Sequence, residues 1–298
     1  MDWCFWHGQN YEKTMNKRLT QSIAFILDSI RFMNLSTSIY QLLFFLMGIM
    51  IGSFLNVVIW RIPRGESIVR PRSHCPSCKA DIAPYDNIPL ISWLILDRKC
   101  RHCKKPISPR YFLIELLSGL VSLIMVSVFG VSSLLLVYLS MLYLLIAISV
   151  IDFEHYIIPD SLILFGLALV ISAHIFEALP ISILNGIYGA LIFAGTLFLI
   201  GIIGEWILKK ESMGLGDVKL GFVIGGLLGL ESAVLVLFLS FLLATFLTVM
   251  GMLFFKLDGK GKIPFAPFMA GACLIVFLTS LPNGQNLILG WYFSFLYY

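Results

Sequence analysis

Charged residues are scarce in this 298-residue chain, and their scarcity excludes a soluble globular protein. They make up 13% of the sequence, whereas soluble domains carry about 25%. Hydrophobic residues make up 59%, and the mean hydropathy is +0.92. In lipid, a backbone must satisfy its hydrogen bonds internally, which α-helices do. The composition therefore predicts an all-α, polytopic membrane helical bundle.

Signatures of several other protein classes are also missing. The sequence has no HExxH motif and its five histidines are scattered, which argues against a metalloprotease. It has no glycine-rich dinucleotide fingerprint and no nucleic-acid-binding motif. No inverted repeat or matched pair of broken helices indicates a transporter. A membrane transporter or channel that uses acidic residues as ion sites stays open as the alternative function.

Eight apolar runs are candidates for membrane helices. In chain order they are Ser38–Trp60, Tyr111–Phe129, Ser133–Ile151, Ser161–Ala178, Ile183–Leu208, Val218–Leu230, Ser232–Phe255 and Ile263–Leu281. We divide the chain into an N-terminal extension (1–37), a first transmembrane helix (38–60), a loop (61–110) and a membrane domain (111–298). The extension is predicted to be an amphipathic surface segment. Alternatively, translation starts at Met33.

Lys and Arg residues are distributed unevenly between the two sides of these runs. Eleven of the 21 lie in the 61–110 loop, and others lie near Gly216 and between residues 256 and 262. These regions fall on one side by parity, and the positive-inside rule makes that side cytoplasmic. Because the basic loop adjoins the membrane, its predicted partner is membrane lipid rather than nucleic acid.

Four cysteines form two CxxC pairs in the 61–110 loop. Cys75 and Cys78 lie in HCPSC, and Cys100 and Cys103 lie in KCRHC after a gap of 21 residues. Both pairs belong to a shared C-x-x-C-K-x-x-I-x-P pattern, which indicates two similar knuckles. This spacing predicts a structural, tetrahedral Zn²⁺ site with four thiolate ligands. Disulfide pairing is the alternative, and a reducing cytoplasm disfavours it.

Two aspartates lie at the predicted cytoplasmic ends of membrane runs. Asp152 closes the third run in ISVIDFEHYIIPD, and Asp217 opens the sixth in GLGDVKL. Ionisable residues in such places are functional candidates, and a close pair of carboxyl groups sharing one proton can catalyse aspartic proteolysis. Gly214 and Gly216 are predicted to allow unusual backbone conformations and close approach of a substrate. Lys219 is predicted to support Asp217, because it lies nearby. The alternative is that such acids only cap helices.

Glycines recur at helical spacing in two of the runs. Gly221, Gly225 and Gly229 are predicted to leave one face of the sixth run bare, and Gly48 and Gly52 do the same on the first run. Bare faces of this kind allow membrane helices to pack closely. We therefore expect both runs to contact another helix through these glycines.

The combination of these segments resembles the bacterial type IV prepilin peptidases, the leader peptidases of pilus, type II secretion and competence systems. The matching segments, in the family's order, are GSFLNVVIWRIPRGESIVRPRSHCPSC, ISPRYFLIELLSG, IDFEHYIIPD, GLGDVKL and IPFAPF. One departure is Ala266, where PFGPF is usual. The resemblance implies a GxGD-type intramembrane aspartic protease of the bacterial inner membrane, with Asp152 and Asp217 as the catalytic pair.

The resemblance also implies a substrate, a second activity and a cofactor. The substrate would be a prepilin or pseudopilin whose short, basic leader stays in the cytoplasm and ends in glycine before a hydrophobic helix. The cysteine loop is similar to one that many members pair with N-methylation of the new N-terminal residue by S-adenosylmethionine. Within that loop, Glu66 is the candidate for contact with the cofactor or the amine.

Overall fold

The chain folds into a bundle of apolar helices. The computed structural model describes residues 35–209, 213–255, 263–281 and 284–296. The helices are α1 (Leu35–Arg61), α2 (Ile91–Ile95), α3 (Pro109–Phe129), α4 (Ser133–His155), α5 (Asp160–Ile175), α6 (Ile183–Leu208), α7 (Leu215–Phe255), α8 (Ala266–Thr279) and α9 (Leu287–Leu296). Within the described residues, β pairing is limited to isolated bridges. The predicted extension and the alternative start at Met33 lie outside the described residues, except for 35–37, which belong to α1.

Five of these helices are long and apolar enough to cross a membrane: α1, α3, α4, α6 and α7. The helices α5 and α8 are apolar but shorter, at 16 and 14 residues. All eight predicted runs are therefore helical, and the predicted all-α, multi-pass membrane bundle is confirmed. The sixth and seventh runs together form α7, which consists of two helical halves joined at a non-helical residue, Gly229.

A break at Gly229 divides α7 into two halves. Gly229 has a φ of 75° and a ψ of 175°, a conformation that glycine adopts without steric cost. The Leu230 N–H at the start of the second half donates to Asn185 Oδ1 on α6 at 2.9 Å. Since the first N–H groups of a helix need an external partner, Asn185 caps the second half from a neighbouring helix. The sequence placed the boundary between the sixth and seventh runs at Glu231, and the structure places it two residues earlier, at Gly229.

The helix α4 lies at the centre of the bundle. It contacts α1, α3, α5 and α8, and fifteen of its 23 residues are buried. The ring of Tyr138 on α4 stacks on that of Phe277 on α8, with their centroids 4.1 Å apart. Asp152, in the last turns of this helix, is among its buried residues.

Glycines bring two pairs of helices close together, as predicted. Cβ atoms built on Gly225 of α7 and on Gly189 of α6 would each overlap the other residue's carbonyl oxygen. A Cβ on Gly52 of α1 would lie 2.7 Å from Glu115 Cα on α3. Because such distances are shorter than van der Waals contact, no larger residue fits at these positions without a shift of the backbone.

Candidate active site

Asp152 lies in the last turns of α4, at the end of the bundle from which the cysteine loop (62–108) leaves. We call this end the loop end. The residue is only 6% exposed, and the Ala266 N–H donates to its Oδ2 at 3.1 Å. Ala266 begins α8, whose first N–H groups lack intrahelical partners. The IPFAPF segment therefore holds the Asp152 carboxylate, a role that the sequence analysis missed.

Asp217 lies in the first turn of α7, also at the loop end. Its carboxyl group is close enough to Asp152 for the two to interact electrostatically. Its Oδ1 atom is buried and has no hydrogen-bond partner among the described residues. Buried polar atoms are normally paired, so this oxygen is available to a water molecule or to a bound peptide. The structure thus brings the two predicted acids together.

The two glycines of GLGD provide space rather than an unusual backbone. Neither Gly214 nor Gly216 has a positive φ, so the special conformation predicted for them is not found. A Cβ on Gly214 would lie 3.3 Å from Asp217 Oδ2, and one on Gly216 would lie 3.0 Å from Ile158 Cβ. The GLGD segment therefore packs tightly against the link between α4 and α5.

Ion pairs join the helix ends around the two aspartates. Lys219 Nζ lies 2.6 Å from Asp160 Oδ1, so the support predicted for Lys219 acts through a contact between α7 and α5. Arg110 Nη1 contacts both carboxylate oxygens of Glu154 at 2.6 and 2.7 Å. Glu154 follows Asp152 by two residues, and Arg110 follows the cysteine loop. The sequence analysis predicted neither pair.

The four loop cysteines form a cluster that could hold a metal ion. Their Sγ atoms all lie within 4.8 Å of one another, and those of Cys75 and Cys103 are 3.9 Å apart. A tetrahedral Zn²⁺ with Zn–S bonds of about 2.3 Å separates its sulfurs by about 3.8 Å. The cluster therefore fits such an ion. The N–H groups of Cys103 and His102 lower the pKa of the Cys100 thiol to about 6, whereas desolvation and the neighbouring thiols raise that of Cys78 to about 11. The thiolate that a metal requires is therefore favoured at Cys100 but not at Cys78.

The two knuckles have the same backbone structure. The N–H groups of Cys75 and Cys100 each donate to the carbonyl group five residues later, at 2.9 Å. Each knuckle then turns through a left-handed residue, with φ of 58° at both Lys79 and Lys104. The repeat predicted from the sequence is therefore also a repeat in structure.

A buried arginine holds the start of the loop. Arg61 is 5% exposed, and its guanidinium group donates to the carbonyl oxygens of Ser67 at 2.8 Å and Pro71 at 2.7 Å. These bonds fold residues 62–72 back onto the end of α1.

Glu66, the candidate for cofactor contact, lies in this same segment. Its side chain is exposed, and Ser92 is the only buried residue from 62 to 108. A cofactor at Glu66 would therefore rest on an open surface, and the loop as described does not form an enclosed pocket for S-adenosylmethionine.

Comparison with known proteins identifies the family. Residues 46–129 match the family model described as the bacterial peptidase A24 N-terminal domain, and residues 139–249 match the type IV leader peptidase family. A type 4 prepilin-like proteins leader peptide-processing enzyme of Escherichia coli is 34% identical over 255 residues, which are 78% of this chain and 92% of that relative. The chain belongs to the type IV leader peptidase family.

Two further relatives agree with this assignment. A prepilin leader peptidase/N-methyltransferase of Aeromonas hydrophila is 35% identical over 271 residues, covering 80% of this chain and 91% of the relative. The Myxococcus xanthus protein of the same name is 39% identical over 194 residues, 64% of this chain and 56% of the relative, so the match spans little more than half of that protein. No solved structure matches the chain. The predicted resemblance is confirmed, and the chain is a membrane peptidase by family.

Proposed function

We propose that this leader peptidase cleaves the short basic leader from type IV prepilins or pseudopilins, with Asp152 and Asp217 as the catalytic pair. We further propose that it N-methylates the new N-terminal residue. The observation that carries the first proposal is the buried, unpartnered Oδ1 of Asp217 beside the Asp152 carboxylate. Such a pair can hold a water molecule and share one proton.

Hydrolysis by this pair requires one acid and one base. One carboxylate removes a proton from water while the water oxygen forms a bond to the scissile carbonyl carbon. The other carboxyl group donates its proton to the amide nitrogen as the C–N bond breaks. The Ala266 N–H would keep Asp152 in place during this exchange, and Gly214 would leave room for the extended peptide.

The orientation proposed for the protein fits this chemistry. The basic cysteine loop supports a cytoplasmic loop end under the positive-inside rule. Both aspartates lie at that end of their helices. A leader that stays in the cytoplasm, followed by a membrane helix, would therefore have its scissile bond at the depth of the two carboxyl groups. We propose the bacterial inner membrane as the location.

The cysteine loop would have the second activity. We propose that the four cysteines bind Zn²⁺ and that the ion folds residues 61–110, because a four-thiolate site has no open position for chemistry. S-adenosylmethionine would supply the methyl group to the new amine. Glu66 stays the candidate for contact with the cofactor or the amine, and we derive no further step for the transfer.

The test is the intact mass of a model prepilin after incubation with the purified protein and S-adenosylmethionine. We expect the loss of the leader and the gain of one methyl group. Asp152→Asn and Asp217→Asn should each reduce cleavage by at least about 10³-fold, since neither acid alone completes the pair. Asp97→Asn is the matched control, because this loop side chain is 82% exposed and should leave cleavage unchanged.

A folded wild-type protein that leaves several prepilins uncut would contradict the proposal. The same would hold if either aspartate variant cleaved at the wild-type rate. Ion flux through liposomes that depends on Asp217, without any cleavage, would instead favour the transporter or channel.

A further inference from the structure

A groove between α6 and α7 opens beside Asp217. Its volume is about 370 Å³. The groove is lined by apolar and small residues and by a single acid, Glu205. The lining also includes Leu197, Ile202, Gly214, Leu215 and Val218. Gly214 is the lining residue that connects the groove to the acids, because a Cβ there would lie 3.3 Å from Asp217 Oδ2. One end of the groove therefore adjoins the Asp217 carboxyl group.

The groove changes from apolar to anionic along its length. Leu197 is fully buried and packs at its inner end, where a Cβ on Gly221 would lie 3.0 Å from Leu197 Cδ1. Glu205 lies eight residues further along α6, which corresponds to about 12 Å toward the loop end. The next residue, Trp206, is 81% exposed, and tryptophan favours the headgroup region of a bilayer. Glu205 therefore lies at the edge of the membrane.

Glu205 differs from the other acids near the site in its surroundings. Glu154 and Asp160 are each paired with a basic side chain. Within the parts of the chain that the structure describes, the exposed carboxylate of Glu205 makes no ion pair. Because it is exposed, this carboxylate can contact a cation presented from the loop end.

We propose that this groove binds the substrate across its cleavage site, with Glu205 pairing with a Lys or Arg of the leader. The inference rests on the proposed function. A segment held in the cytoplasm just before a membrane helix carries basic residues, and the helix itself is apolar. The groove presents its acid and its apolar wall in that same order. Its 12 Å would hold about four residues of an extended peptide, at about 3.3 Å each.

The test is a competition between two model prepilins that differ at one leader position. The basic residue nearest the scissile bond is Lys in one and Glu in the other, and the ratio of their kcat/KM values is measured in a single reaction. This ratio does not depend on how much of the enzyme is folded. We expect the wild type to prefer the Lys substrate about tenfold, Glu205→Gln to reduce this preference to about twofold, and Glu205→Lys to reverse it.

Two further variants define the groove. Glu177→Gln is the matched control, because Glu177 follows α5 at the opposite end of the bundle and should keep the wild-type ratio. Gly201→Leu would fill the apolar part. A Cβ at Gly201 would lie 3.6 Å from Met213 Cβ, an ordinary contact, so the larger side chain would occupy the groove without straining the backbone. It should slow both substrates about equally, by about tenfold.

An unchanged ratio in Glu205→Gln and Glu205→Lys would overturn the proposal. It would indicate that lipid rather than the substrate fills the groove. Wild-type rates in Gly201→Leu would contradict the proposal that the apolar part of the groove binds the substrate. A folded wild type that cleaves neither substrate would contradict the proposed function instead, so the two failures are distinguishable.

Discussion

The cysteine loop and the helical bundle are held together by different forces. From residue 62 to 108 the loop buries one residue, Ser92, and has no hydrophobic core. The helix α4 alone buries fifteen residues. The bundle is therefore stabilised by close packing, whereas the loop depends on its cysteine cluster and on polar contacts such as the bond between Arg101 Nη2 and Asp86 Oδ1 at 2.6 Å. The difference indicates that either region can be disrupted while the other stays folded.

The two regions are joined where α1 ends and α3 begins. The guanidinium carbon of Arg64 lies 3.7 Å from the centroid of the Trp60 ring, and that of Arg110 lies 6.0 Å from the same ring. Arg110 also pairs with Glu154 on α4. Within the loop, the Leu90 N–H donates to Glu115 Oε2 on α3 at 2.7 Å. A disturbance of the loop can thus reach α3 through this bond, and then α4, which carries Asp152, through the pair of Arg110 with Glu154.

The strongest test of this comparison is removal of one metal ligand. Cys100→Ser should abolish binding of one zinc ion per chain, because three thiolates hold zinc far less tightly than four. The loop should then be cut rapidly by trypsin while the helices stay resistant. Metal content by mass spectrometry and the pattern of tryptic fragments check this outcome.

The matched control for the loop is Cys273→Ala. Cys273 is a buried cysteine on α8, remote from the cluster in sequence, so its replacement should leave the zinc content unchanged. Full metal binding by Cys100→Ser would contradict the four-cysteine site. Simultaneous loss of the bundle would contradict the independence of the two regions.

A smaller effect should follow from two equal substitutions within the bundle. Gly225→Ala introduces a Cβ that overlaps the Gly189 carbonyl, whereas Gly195→Ala introduces one with no neighbour within 4 Å. We expect the first to lower the free energy of unfolding by about 1–3 kcal/mol, and the second to leave it unchanged or to raise it by up to about 1 kcal/mol. Thermal unfolding in detergent measures both. Equal shifts would show that α6 and α7 do not pack through these glycines.

The smallest expected effect concerns the contact between α3, which follows the loop, and α4, which carries Asp152. The side chains of Arg110 and Glu154 are 18% and 33% exposed, so solvent weakens their attraction. A double-mutant cycle with Arg110→Gln and Glu154→Gln should give a coupling energy of about 0.5–1 kcal/mol in stability. Arg101→Gln is the control, because its partner Asp86 lies within the loop and should show no coupling to Glu154. A coupling of zero between Arg110 and Glu154 would mean that this pair does not hold α3 to α4.

Features set by local sequence were the predictable ones. The two knuckles repeat because the pattern around Cys75 recurs around Cys100, and a turn of this kind depends on a few adjacent residues. The apolar runs became helices because lipid leaves no other way to satisfy their backbone groups. The parity of the charged loops predicted that Asp152 and Asp217 lie at the same end of the bundle, and the family resemblance added their assignment as the catalytic pair.

Features that depend on distant residues were missed. Ala266 lies 114 positions from the carboxylate that it holds, and a Pro-rich segment predicts only that a helix begins nearby. The sixth and seventh runs were predicted to be separated at Glu231. In the structure the break lies at Gly229, and Asn185 of α6 accepts a hydrogen bond from the freed N–H of Leu230. Likewise, Lys219 was predicted to support Asp217, whereas its side chain pairs with Asp160 of α5.

The four-cysteine cluster has a consequence for the unfolded chain, because it brings Cys75 and Cys103 together. An ion bound there ties together two residues that are 28 positions apart, and a covalent link across a loop of this length would remove chain entropy equivalent to about 3–4 kcal/mol at 25 °C. A secreted protein would achieve the same restriction with a disulfide, which a reducing compartment does not maintain. A metal crosslink is reversible and insensitive to that reduction, so a bound ion would let a segment without a core keep one conformation in the cytoplasmic orientation that we propose.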